Sequence, residues 1–247
     1  MSQQPTIVLL HGLFGSRHIL WHDYFKGVKQ LYHTAGFRVI VPQVPAVADI
    51  AVQAQALEKI LANETTPLHL VAHSMGGVYA RHYITHLDGH KKVQSLTTLA
   101  SPHRGSPAAD YLSENFLLAR SLKGLNALSI KHMAAFNSQT PDMPDVYYRS
   151  YTASRPPEEV PWVMAKIARI VQAAEGENDM QVSITSALWG EHVRTLHADH
   201  FEIIGLNAWL NPFVKRIAFK HLPLYQEIGE WINATFAKQT ERSSKDT

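Results

Sequence analysis

Short apolar runs alternate along this chain with longer stretches whose apolar positions recur every three to four residues. Thr6–Leu10, Arg38–Val41, Leu68–Ala72, Ser95–Ala100, Tyr147–Thr152 and Val193–Leu196 have the length and the aliphatic or β-branched content of strands. Leu20–Ala35, Ala48–Leu61, Gly77–His86 and Pro223–Ala237 have helical spacing, and Gly36, Pro42, Pro67 and Pro156-Pro157 punctuate them. Strands alternating with helices predict a mostly parallel sheet with right-handed crossovers, an α/β architecture in one domain over residues 1–247. The polar end from Lys238 to Thr247 is expected to lack fixed structure.

Between Tyr111 and Phe136 the pattern changes. Phe116, Leu117, Leu118, Leu122, Leu125 and Leu128 recur at roughly helical spacing, with Gly124 interrupting. The segment reads either as an amphipathic helix pair packed on the core or as a mobile cover, over about residues 111–136, whose apolar face closes over a pocket. The cover is the reading carried forward.

Composition narrows function mainly by exclusion. With 247 residues and 45% hydrophobic content the chain can bury one substantial core. Its 23 basic and 21 acidic residues leave a net charge of +2, which offers nucleic acid no electrostatic footprint. No apolar run approaches the roughly 20 residues of a membrane span. Cysteine is absent, which agrees with a reducing compartment without requiring one. The first strand begins near Thr6, leaving no room for a leader, so the expectation is a cytoplasmic protein, or one secreted after loss of a leader or by a non-classical route. No Walker loop, dinucleotide-binding glycine pattern or Cys/His zinc framework appears.

Chemistry enters at Ala72-His73-Ser74-Met75-Gly76, which lies between the apolar run ending at Val71 and the helical stretch from Gly77. A strand, a sharp turn and a helix place Ser74 at the apex, and small residues on either side let the chain bend tightly. A serine hydroxyl presented this way becomes a nucleophile when a base and an oxyanion site adjoin it. The run Ile7–Leu10 ends in His11-Gly12-Leu13-Phe14-Gly15, a flexible turn able to offer a backbone donor. The backbone N–H groups of Leu13 and Met75 are the candidate oxyanion pair. A serine of this kind needs a histidine base and a carboxylate that fixes its tautomer. Fifteen histidines leave the base open between His200 and His197, and Glu175, Glu177 and Asp179 all stand near as acids. A metal held by His197, Asp199 and His200 would remove the base that Ser74 needs.

These stretches together resemble the bacterial true lipases of family I and the related fungal and eukaryotic lipases, which are α/β-hydrolases. Their His-Gly-Leu-x-Gly loop is matched by His11 to Gly15, and their His-Ser-x-Gly-Gly elbow by His73 to Gly77. A Pro-His-x-Gly-Ser-x-x-Ala-Asp segment is matched by Pro102 to Asp110, an Asn-Asp acid motif by Asn178-Asp179, and the histidine motif by Asp199 to Glu202. The similarity covers nearly the whole chain in the right order.

The resemblance implies an α/β-hydrolase fold, with a mostly parallel central sheet flanked by helices and a small helical lid. It implies Ser74 as nucleophile, His200 as base, Asp179 as acid, and Leu13 and Met75 as oxyanion donors. It implies a carboxylic-ester hydrolase of the triacylglycerol lipase type; a short-chain esterase, thioesterase or acyltransferase would use the same site. A lipid or ester substrate and transient contact with a lipid interface follow. No cofactor is needed for the chemistry. The family often holds a structural calcium through an acid two residues after the base, where Glu202 stands, but no clear second acid lies upstream in the short stretch from Arg155 to Glu175.

Overall fold

Strand β1 (Thr6–Leu10) is buried along its whole length because both of its faces are covered. Ile7 and Leu9 point into one apolar layer, Val8 and Leu10 into the other, as the period of two demands. In this computed structural model, which describes residues 5–15, 18–19, 22–206 and 217–243, β1 belongs to a six-stranded sheet. The others are β4 (Arg38–Ile40), β5 (Leu68–His73), β6 (Val93–Leu99), β7 (Tyr147–Ala153) and β8 (Glu191–Leu196). The order is β4-β1-β5-β6-β7-β8 and every pairing is parallel.

Helices cover both faces. Helices α2 (Ile50–Leu61) and α3 (Met75–His86) supply Leu57, Val78 and Tyr79 to one core layer. Helices α1 (Val28–Thr34) and α10 (Leu222–Ser243) supply Tyr32, Tyr225 and Ile228 to the other. Asp49 starts α2 by accepting the N–H of Val52 at 3.0 Å, which satisfies one orphan donor of the first turn.

Three sequence expectations are corrected. The helix expected over Leu20–Ala35 begins only at Val28, after two short strands, β2 (His18–Ile19) and β3 (His22–Asp23); Leu20 and Trp21 lie outside the described residues. Phe25 and Gly27 both have φ near the left-handed region, 60° and 75°, which a helix cannot incorporate. The segment between β6 and β7 forms four short helices rather than a pair: α4 (Pro107–Asn115), α5 (Leu117–Arg120), α6 (Lys123–Ala127) and α7 (Ile130–Gln139). The C-terminal helix continues to Ser243, past the expected start of the tail at Lys238, and 244–247 lie outside the described residues. An element the pattern did not suggest is α8 (Ala165–Glu175), whose Ile167, Ala168 and Val171 make one buried stripe. A further short helix, α9 (Ile184–Ala187), follows it.

The chain runs from β1 to β4 on one side and then returns to place β5 on the other side of β1. Such a reversal opens a crevice beyond the carboxyl ends of the two strands. The loop after β1 is His11–Gly15 and the turn after β5 is Ser74.

Candidate active site

The β5–α3 turn puts Ser74 at φ 55°, ψ −132°, a backbone state that costs a non-glycine residue roughly 1–3 kcal/mol and persists only where its surroundings enforce it. The enforcement is visible on both sides. A Cβ on Gly76 would lie 2.6 Å from the Leu10 carbonyl oxygen, and one on Gly12 would lie 2.6 Å from Ser74 Cβ. The elbow and the β1 loop therefore touch backbone to backbone, and only glycine fits between them.

Ser74 Oγ lies 2.9 Å from His200 Nε2, and His200 Nδ1 lies 2.6 Å from Asp179 Oδ2. Asp179 is fully buried. Its other oxygen accepts the N–H groups of Gln181 at 3.0 Å and Val182 at 2.8 Å, so the carboxylate is fixed at both ends. A carboxylate at Nδ1 keeps the imidazole proton there and leaves Nε2 bare to accept from the serine hydroxyl. The backbone joins the two loops as well, since the His200 N–H donates to the Asp179 carbonyl at 3.0 Å. Asn178 fastens the acid loop by donating to the carbonyls of Ala168 and Gly176.

The other candidates lie elsewhere. His197 is 67% exposed at its side chain and faces Arg155 and Glu159. Glu175 accepts from the Ser183 hydroxyl at 2.5 Å. Met75 N–H opens α3 and Leu13 N–H lies in the β1 loop. Among the described residues neither N–H is given an acceptor; Met75 directly follows Ser74, and Leu13 directly follows Gly12, which abuts Ser74.

A further set of polar contacts, which no local motif announces, holds the β1 loop. The Gly12 N–H donates to Tyr24 Oη at 2.9 Å, and Tyr79 Oη donates to the His11 carbonyl at 2.9 Å. His11 Nδ1 donates to the Gly12 carbonyl at 3.0 Å; burial lowers the pKa of this imidazole and keeps it neutral. Tyr24 Oη also lies 2.6 Å from His73 Nδ1, and His73 Nε2 lies 3.0 Å from the His200 carbonyl oxygen. His73 is completely buried, and desolvation holds its pKa well below the ordinary value. Its single ring proton must face the carbonyl, which can only accept. Nδ1 is then the acceptor and Tyr24 the donor. Burial likewise raises the Tyr24 phenol beyond its usual range, which keeps the hydroxyl protonated. His73 stands in the elbow motif, but nothing in the letters around Tyr24 singles it out.

Glu202 is fully buried. Arg155 Nε donates to its Oε2 at 3.1 Å, and the N–H groups of Asp199 and Phe219 donate to its two oxygens at 3.0 Å each. Calcium takes six to eight oxygens at about 2.3–2.6 Å. Here a guanidinium already faces the carboxylate, so these residues do not fit the calcium that the resemblance admitted at Glu202.

A family model described as "Alpha/beta hydrolase family" matches residues 7–222. Triacylglycerol lipase 2 of Saccharomyces cerevisiae is 33% identical over 220 residues, covering 76% of this chain and 63% of that protein. A triacylglycerol lipase of Pseudomonas fragi is 31% identical over 143 residues, 56% of this chain and 48% of that protein. The chain thus matches about half to two thirds of the length of these curated relatives. Among solved structures, a metagenomic carboxyl esterase superposes with a TM-score of 0.79 at 17% identity, over 95% of this chain and 77% of that one. The mature Bacillus licheniformis lipase BlEst2 does so with a TM-score of 0.72 at 22% identity, over 93% of each. At these identities the two structures speak for the fold alone.

Proposed function

The chain belongs to the alpha/beta hydrolase family, and on that premise we propose that it is a serine carboxylic-ester hydrolase that cleaves lipid acyl esters through an acyl-enzyme on Ser74. The observation that carries the reading is the hydrogen-bonded row Ser74–His200–Asp179, with 2.9 Å and 2.6 Å between its members. His200 Nε2 takes the serine proton as Oγ attacks the ester carbonyl, and the buried Asp179 carboxylate stabilises the imidazolium that forms. The oxyanion of the tetrahedral intermediate accepts from the N–H groups of Leu13 and Met75. His200 then gives its proton to the departing alcohol, and water releases the acid by the same steps in reverse.

Lipid esters are favoured by the surface around this site. Leu117 and Leu118 in α5 are 84% and 85% exposed, and Phe116 and Phe14 are more than half exposed. The short helices adjoin the β1 loop, since the Gly124 N–H donates to the Val47 carbonyl at 3.1 Å and a Cβ there would lie 2.7 Å from a Leu13 methyl. Adjacent bare leucines beside an acyl-transfer site suit a cover that meets an aggregated apolar substrate. Among the described residues no helix is long and apolar enough to cross a membrane.

The test is covalent labelling by an alkyl fluorophosphonate, with hydrolysis rates on a series from p-nitrophenyl butyrate and tributyrin to triolein. Wild type is expected to label at Ser74, and Ser74→Ala to lose both labelling and turnover. Ester hydrolysis unchanged in Ser74→Ala would refute the mechanism, and activity confined to soluble short esters would replace the lipid substrate with a short-chain ester or thioester.

A further inference from the structure

The loop that carries His200 is held by a charge supplied from inside the chain. Arg155 follows β7 and has a side chain only 2% exposed, yet every nitrogen of its guanidinium is engaged. Nε donates to Glu202 Oε2 at 3.1 Å, Nη1 to Glu159 Oε2 at 2.7 Å and to His197 Nε2 at 2.9 Å, and Nη2 to the Ile217 carbonyl at 2.8 Å. Glu202 in turn receives the N–H groups of Asp199 and Phe219, the first next to the base in sequence. The backbone N–H of Arg155 donates to the Asn178 carbonyl at 2.9 Å, one residue before the acid. One residue thus spans the acid loop, the base loop and the segment leading to α10.

The geometry points to Arg155 as the resident cation of this site, a positioning residue whose guanidinium neutralises Glu202 and fixes the His200 loop against the Asp179 loop, so that the protein needs no calcium there. The physical reason is the burial of Glu202. A carboxylate taken wholly out of water requires compensating charge and several donors, and loss of the guanidinium weakens that compensation, which the loop must move to restore. The planar fork of arginine serves two carboxylates, a ring nitrogen and a carbonyl at once, which the point charge of lysine cannot. His200 touches none of these groups with its ring. Arg155 therefore acts on the reaction through the backbone of Asp199 and Asn178.

The role of Arg155 in turnover rests on the hydrolase reading, but its role as the cation can be measured without substrate. Wild-type protein treated with EDTA is expected to keep its melting temperature, and millimolar calcium is expected not to raise it. A fall on chelation that calcium reverses would overturn the proposal. With p-nitrophenyl butyrate as substrate, Arg155→Ala is expected to lower kcat by about 10²-fold, the scale of an ångström-sized misplacement of reacting groups, with KM nearly unchanged. A cavity of about 340 Å³ lined by Arg155, Asn178 and His197, among others, opens onto the position vacated. Guanidinium ion at sub-denaturing concentration is therefore expected to restore part of kcat in Arg155→Ala, while tetramethylammonium does not. Full kcat in Arg155→Ala would overturn the proposal. Should that variant fail to fold, Arg155→Lys keeps the charge without the fork, and it is expected to lose about tenfold in kcat at constant KM; a lysine variant with the wild-type rate would be equally fatal. If wild type hydrolyses no ester at all, the functional reading fails, while the melting response to EDTA and calcium still decides the cation.

Discussion

The hydroxyl of Tyr24 donates to Nδ1 of His73 across 2.6 Å, and the same oxygen accepts the N–H of Gly12. Through the far nitrogen of His73 the contact continues to the His200 carbonyl. The loop after β1, the end of β5 and the loop of the base are thus joined by one buried, uncharged chain of hydrogen bonds.

Tyr24→Phe removes the middle of that chain without changing its shape. It leaves a buried N–H and a buried imidazole nitrogen without partners, at a cost to stability of about 1–3 kcal/mol. A looser donor loop is expected to lower kcat by about tenfold or more, within the range for loss of oxyanion stabilisation, with little change in KM. Urea denaturation and steady-state kinetics check both; an unchanged kcat would reduce Tyr24 to a packing residue.

Gly12→Ala tests the close approach of the two loops. Its methyl would lie 2.6 Å from Ser74 Cβ and 3.1 Å from Oγ. The loop must retreat, carrying the Leu13 donor with it, and kcat is expected to fall by roughly 10²–10³-fold. Fluorophosphonate labelling should slow in parallel.

The two histidines near the end of the chain should separate cleanly. His200→Ala is expected to lose at least about 10²–10⁴-fold in kcat, whereas His197→Ala should lose less than about tenfold. Asp179→Asn, which releases the tautomer of His200, is expected to cost about 10⁴-fold. Rates on p-nitrophenyl butyrate decide among them, and a severe loss in His197→Ala alone would exchange the two roles.

His69 gives the protein a predictable acid sensitivity. Burial lowers its pKa to about 4, against about 6.5 in the unfolded chain. Between these values the unfolded state binds the extra proton, so stability rises with pH and is lost as pH falls through the same window. The loss attributable to this ring is up to about 3 kcal/mol. The unfolding free energy of His69→Asn is expected to change less between pH 7 and pH 4 than that of wild type. His11 and His73 shift in the same direction, so part of the acid sensitivity should survive.

Leu117→Ser with Leu118→Ser probes the apolar surface. Burying a leucine side chain is worth roughly 1.5–3 kcal/mol. Turnover of emulsified triolein is therefore expected to fall by about tenfold or more, while soluble p-nitrophenyl butyrate is cleaved as before. Equal effects on the two substrates would remove these leucines from lipid contact.

The chain itself determined the strands, because dense apolar runs buried on both faces carry a strong local signal; Thr6–Leu10 is legible from its five letters. It also singled out Ser74 by the small residues and the strand and helix around it, and made Leu13 and Met75 candidate donors by their place in the two turns; the choice of Asp179 and His200 came from the resemblance to lipases. The start of α1 was not legible, since left-handed backbone at Phe25 and Gly27 is imposed by packing and leaves no periodic trace. The alternation of runs leaves α8 out, although Ile167, Ile170 and Val171 stand at helical spacing and pack inward.

What tertiary structure alone decided was pairing. Tyr24 meets His73 across 49 positions and Arg155 meets Glu202 across 47. Such contacts depend on strand order and loop closure, which no local pattern encodes. The letter at 202 by itself does not say what the carboxylate faces; the folded chain buries the Arg155 guanidinium against it.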